Sequence, residues 1–160
     1  MIYVSSSCLK NKYIWDSVEQ LASVGFKNIE LSGGTERHPE IVLKLILLKE
    51  KFNLTYRCHN YFPPPKNHFV MNLASSSHWI FEDSLKTINE AIEISKELGC
   101  KEYGFHAGFL ADISTSEIGC SIEGRKLNNG DDTLERFMLR VNSLYNEQSN
   151  IKLYIENNVV

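Results

Sequence analysis

Three residues of the kinds that hold divalent cations occupy corresponding places in the chain. Leu54-Thr55-Tyr56-Arg57-Cys58 runs into His59, Glu102-Tyr103-Gly104-Phe105 into His106, and Ile151-Lys152-Leu153-Tyr154-Ile155 into Glu156. Each lead-in is short and apolar at alternate positions, and each ligand is followed by Asn60, Ala107-Gly108 or Asn157-Asn158. If the three lead-ins are neighbouring parallel strands, two imidazoles and a carboxylate meet at one rim of a sheet. That donor set builds zinc, manganese or iron sites.

Other chemistry-bearing residues carry weaker signals. His38 lies just before a predicted helix, His68 in a proline-rich loop and His78 near a helix start, all places for ordinary surface histidines. Tyr61, Phe62 and Trp79 are candidates for a cleft wall or for plain packing. Cys8, Cys58, Cys100 and Cys120 are scattered with no C-x-x-C pair, so they are expected as reduced thiols. Glycine-rich phosphate loops of the G-x-G-x-x-G and Walker types and the G-x-S-x-G nucleophile elbow are absent from the sequence. A net charge of -3 and a pI near 6.0 offer no basic field for a phosphate backbone, so nucleic acid is a less favoured partner than a small molecule. No apolar run approaches the ~18 residues of a membrane span, and a cytoplasmic protein is expected.

The elements that would position the three ligands alternate regularly along 160 residues, 42% of them hydrophobic. A short strand over Ile2 to Ser5 precedes a helix marked by Ile14, Val18, Leu21 and Ala22, closed by Gly25. Asn28 to Leu31 is a second strand, stopped by Gly33-Gly34. Pro39 opens a helix carrying Ile41, Val42, Leu45, Ile46 and Leu48. After the Leu54 to Cys58 strand, Pro63-Pro64-Pro65 enforces a stiff loop. A long helix from about Ser77 to Leu98 follows, its predicted stripe being Phe81, Leu85, Ile88, Ile92 and Ser95. Glu102 to Phe105 is the fourth strand. Ala107 to Gly130 reads as a long loop of the lid or binding kind. Asp131 and Asp132 begin a last helix with Leu134, Phe137, Met138, Val141, Leu144 and Tyr145, and Ile151 starts the fifth strand.

Such alternation makes βαβ units and a parallel sheet in one domain over residues 1–160. Two architectures fit, a doubly wound open sheet and part of a (β/α)8 TIM barrel. Side-chain parity separates them. Ile29 and Leu31, Tyr56 and Cys58, Tyr103 and Phe105, and Leu153 and Ile155 share one parity, whereas Glu30, Arg57, His59, Gly104, His106, Tyr154 and Glu156 share the other. A doubly wound sheet requires both faces apolar, while a barrel interior leading to a site at the strands' carboxyl ends tolerates polar residues. The expectation is a partial TIM barrel of about five strands and four helices. A full barrel takes ~250 residues, so the chain is expected to stop after the fifth strand, leaving edges that favour self-association or a missing C-terminal half.

Asn28-Ile29-Glu30-Leu31, Cys58-His59-Asn60, Asn72-Leu73-Ala74-Ser75 with its helix to Leu98-Gly99, Phe105-His106-Ala107-Gly108 and Ile155-Glu156-Asn157 carry a family resemblance. The chain resembles the N-terminal portion of the xylose-isomerase-like TIM barrel superfamily, which includes sugar isomerases and epimerases and the endonuclease IV family of abasic-site nucleases. The Asn72 to Ser75 segment resembles the nuclease branch more specifically. The resemblance implies that His59, His106 and Glu156 bind a divalent metal, zinc or manganese first and magnesium or cobalt as further candidates. It also implies that Glu156 exchanges a proton with substrate, and Glu30, Asn60 and Asn157 are the candidate substrate contacts. A metal-dependent sugar or sugar-phosphate isomerase or epimerase is the expected activity, with an abasic-site phosphodiesterase or a non-catalytic barrel fragment as alternatives. Ser5-Ser6-Ser7-Cys8 departs from the histidine-bearing first strand of the nuclease branch, and the ligands that both branches draw from later strands have no counterpart here.

Overall fold

The computed structural model describes residues 2–118, 120, 127–147 and 150–156. Five parallel strands form one sheet: β1 (Val4–Ser5), β2 (Asn28–Leu31), β3 (Thr55–His59), β4 (Glu102–His106) and β5 (Lys152–Glu156). Between them run α1 (Ile14–Ser23), α2 (Ile41–Phe52), α3 (His78–Glu97) and α4 (Gly130–Glu147). The strands lie in chain order, β1-β2-β3-β4-β5. Right-handed crossovers that always step the same way keep every helix on one face, whereas a doubly wound sheet reverses direction and uses both faces. The strand order therefore selects the barrel winding.

Parity does the same at the level of side chains. Ile29, Leu31, Tyr56, Cys58, Tyr103 and Phe105 are buried beneath the helices, joined there by Ile14, Val18 and Leu21 of α1 and Leu45 of α2. Each fully buried aliphatic or aromatic side chain in this layer contributes about 1.5–3 kcal/mol relative to exposure. The opposite face holds Glu30, whose carboxylate pairs with the Arg57 guanidinium of the neighbouring strand. Arg57 also lies 5.1 Å from the Tyr3 ring centroid. Tyr154 donates to Glu102 Oε1 at 3.0 Å and accepts from Lys152 Nζ at 2.6 Å, so polar groups on this face satisfy one another.

Several local expectations are refined. Gly25 closes α1 with φ of +102°, while Val24 N bonds Gln20 O and Phe26 N bonds Leu21 O, a helix end that glycine accommodates without strain. Pro39 lies in the turn just ahead of α2 rather than within it. The buried face of α3 is Ile80, Ser84, Thr87, Ile88, Ala91, Ile92 and Ser95, with Phe81 and Leu85 on its flank. Ser84 and Ser95 can face the sheet because their hydroxyls donate to Ile80 O (2.6 Å) and Ala91 O (2.7 Å), which satisfies them inside a close helix–sheet contact. Ile155 shares the helix-facing parity yet is 45% exposed. Among the described residues, no strand pairs with the outer edge of β5, and Leu134, Met138 and Tyr145 form an exposed apolar stripe on α4. No helix among the described residues is long and apolar enough to cross a membrane.

Candidate metal centre

His59, His106 and Glu156 are the last residues of β3, β4 and β5. Register sets Gly104 beside His59 and Glu156 beside His106. All three side chains therefore leave the sheet on the polar face at its carboxyl rim. His59 Nε2 lies 3.1 Å from Glu156 Oε2, so an imidazole on β3 reaches across β4 to a carboxylate on β5. Gly104 eases the crossing: a Cβ there would stand 3.0 Å from His59 Cδ2 and crowd the ring. The His59 and His106 rings meet at 5.5 Å between centroids, inclined by 65°.

One ligand atom from each of the three residues lies within 4.8 Å of the others. Two ligands bound to the same zinc at ~2.1 Å stand no more than ~4.2 Å apart, so small side-chain rotations bring this set to bonding distance. Burial, and then the neighbouring His59, hold the His106 imidazole below its ordinary range, against the opposing pull of Glu156. A neutral imidazole with a free lone pair is the form that coordinates a metal. The donor chemistry and the geometry both fit a divalent cation.

A cavity of about 680 Å³ opens over the two histidines, within the size range of small-molecule sites. Asn60 lines it, is 3% exposed and has an Oδ1 with no protein partner among the described residues. Thr35 Oγ1 also lines the cavity without a partner among the described residues. Glu30 sits one pleat below the rim, paired with Arg57, and is not part of the cavity wall. Asn157 lies outside the described residues, as does part of the 107–130 loop, whose described portion contributes Thr115 and Ile118 to the wall. Tyr61 lines the cavity and accepts a hydrogen bond from Met71 N, Phe62 is fully buried, and Trp79 is 61% exposed. His38 packs edge-on against Tyr13 and Trp15, and His78 is exposed beside Glu82.

His68 is exposed, as expected, and also lines the cavity, and Lys12 and Glu36, 3.5 Å apart, are wall residues that sequence reasoning missed. The one available signal was Gly33-Gly34, which folds the loop after β2 into the wall. Gly33 has its Cβ position 2.7 Å from Tyr61 Cβ, so a larger residue would push this wall away from Tyr61.

Parallel strands in sequential order with helices on one face define part of a (β/α) barrel, and the three candidate ligands lie at the carboxyl rim, where such barrels keep their sites. The chain belongs to the xylose isomerase-like TIM barrel family, whose profile matches residues 18–158. A D-tagatose 3-epimerase-like protein superposes with a TM-score of 0.70 at 19% identity over 96% of this chain and 51% of that one. The 3-keto-D-glucoside 4-epimerase YcjR from E. coli gives 0.68 at 11% identity, covering 96% of this chain and 54% of the other. Endonuclease IV from Thermus thermophilus gives 0.56 at 17% identity, covering 98% and 51%. The chain spans about half the length of these structures, and at such identities the likeness establishes the fold. No curated protein matches the sequence significantly.

Proposed function

We propose that the chain carries the metal-binding half of a sugar or sugar-phosphate epimerase or isomerase. The observation that carries this reading is the convergence of His59, His106 and Glu156, with the two histidines lining a cavity sized for a small molecule. His59, His106 and Glu156 would hold the cation, zinc or manganese by donor type. When bound, the cation supplies Lewis acidity that polarises a substrate carbonyl. The chain's own residues do the rest. Glu156, half-exposed at the rim, would take the proton from the carbon beside that carbonyl. His59 holds the carboxylate from one side, neutral His106 stands beside the pair, and Asn60 offers an otherwise unsatisfied oxygen to a substrate hydroxyl. Lys12 and His68 at the cavity wall suit a ligand with a charged or polar end. Glu30 and Asn157 remain further candidates for substrate contact, Glu30 only after release from Arg57.

The test is incorporation of solvent deuterium. Ketoses and their phosphates, incubated with the protein and manganese or zinc in D2O, are expected to gain deuterium at the carbon beside the carbonyl, and Glu156→Gln to abolish it. Absence of exchange across a panel of ketohexoses, ketopentoses and their phosphates, with metal bound, would dismiss the epimerase reading. The second reading, abasic-site phosphodiester cleavage, is favoured by the endonuclease IV superposition and by the paired histidines. It requires DNA affinity that falls steeply with salt, and a lack of abasic-duplex binding at low salt excludes it.

A further inference from the structure

The Asn72-Leu73-Ala74-Ser75 segment contributes neither a metal ligand nor a cavity-wall residue, yet it is densely hydrogen-bonded to the turn that follows His106. Asn72 is 2% exposed. Its side-chain amide has two donors and two acceptor positions, and all four are filled. Oδ1 accepts from Ala74 N at 3.0 Å and from Phe109 N at 3.1 Å. Nδ2 donates to Phe109 O at 3.1 Å and to Asp112 Oδ1 at 2.9 Å. The amide thus grips both backbone groups of Phe109, as a partner strand would, a short step beyond His106.

The neighbours of Asn72 reinforce that grip. Ser75 Oγ donates to Asp112 Oδ2 at 2.8 Å, and Asn72 N donates to Ser84 Oγ of α3 at 2.9 Å. Arg140 of α4 donates to Leu73 O (2.6 Å) and Ser75 O (2.8 Å), while Arg136 donates to Ala74 O at 3.3 Å. Gly108 takes φ of +117°, and a Cβ there would stand 2.7 Å from Asn72 Oδ1, so the turn after His106 is closed directly onto the amide.

We propose that Asn72 is a positioning residue for the metal centre: by fixing the 107–112 turn from α3 and α4, it sets the orientation in which β4 presents His106. The inference rests on the metal reading of the site but is read separately from it. Aspartate at 72 keeps the shape but loses both donors and puts a carboxylate against Phe109 O and Asp112. Asparagine at 112 is the milder perturbation.

The experiment compares full-length wild type, Asn72→Asp and Asp112→Asn with Leu45→Ala, a core variant of α2 that destabilises far from the turn. Imidazole resonances are recorded without metal, and zinc affinity is measured by titration. In Asn72→Asp and Asp112→Asn the His106 ring signals are expected to shift and broaden, while those of His38 and His78 hold. Zinc affinity is expected to fall about 10-fold or more in Asn72→Asp, the scale of lost support around a ligand, and to stay within about twofold in Leu45→Ala. Unchanged His106 signals, or a zinc affinity that follows stability equally in the 72 and 45 variants, would overturn the proposal. If wild type binds no zinc, the metal reading fails, and the ring signals alone decide whether Asn72 positions His106.

Discussion

Removal of the His106 imidazole is the most direct challenge to the site. A ligand that binds only the folded chain stabilises it by about 2.7 kcal/mol at 100 times its dissociation constant. In a chain of this size each kcal/mol moves the melting midpoint by roughly 2–4 °C, so saturating zinc should raise it by about 5–11 °C. His106→Ala leaves His59 and Glu156, already 3.1 Å apart, without the third donor. A ligand loss of at least ~100-fold in affinity brings the same zinc concentration down to the dissociation constant, where the gain is about 0.4 kcal/mol and the shift only ~1–2 °C. Thermal melts with and without zinc, reversed by EDTA, measure this, with exposed His78→Ala as the control expected to keep the full shift. Zinc also binds thiols of the unfolded chain, which has four, so manganese provides the complementary series. A zinc shift that survives His106→Ala, or that His78→Ala removes, would refute the assignment of the ligand set.

Arg57→Met should destabilise the fold by about 1–3 kcal/mol, less than the loss of one partner from a fully buried pair because Arg57 is one-third exposed. Adding Glu30→Gln should recover most of the loss in urea melts, and a single variant as stable as wild type would show the pair to be idle. The His106 shift has a definite sign: its folded-state pKa lies below the ordinary 6.5, so the unfolded chain takes up the proton first. In metal-free protein this contribution is complete above pH 6.5 and declines as pH falls from there to the folded value. His106→Ala should flatten that part of the stability profile, and parallel profiles would contradict the shift. The α4 stripe, and a β5 edge that no strand among the described residues covers, predict concentration-dependent association in sedimentation velocity, reduced by Leu134→Glu with Met138→Glu. Monomeric wild type throughout the range would remove that expectation.

What sequence alone made legible follows from periodicity. Strand alternation running into His59, His106 and Glu156 fixed both the faces of the sheet and the rim at which the ligands emerge, because a period of two leaves no freedom about which side each residue takes. The face of α3 was harder. Hydrophobicity favoured Phe81 and Leu85, whereas tight packing on the sheet favoured Ser84 beside the expected Ser95, both with hydroxyls that bond their own helix and so pack as small residues. Lys12, Thr35, Glu36 and His68 were out of reach, since they join the cavity through loops that have no period. The Glu30–Arg57 pair needed the register of β2 against β3, which composition does not encode. The four-way bonding of Asn72 was invisible for the same reason, its amide's partners lying 37 or more residues away, apart from its near neighbour Ala74.

Gly104 carries a consequence for how this chain can diverge. Mid-strand glycine weakens β-structure, and here the gap it leaves is the corridor that His59 occupies on its way to Glu156. A side chain at 104 would press on that imidazole and require the ring to give by a few tenths of an ångström, and a larger one would press harder. The two positions are thus sterically coupled, and a bulky residue at 104 is expected to disturb the approach of the imidazole at 59 to Glu156.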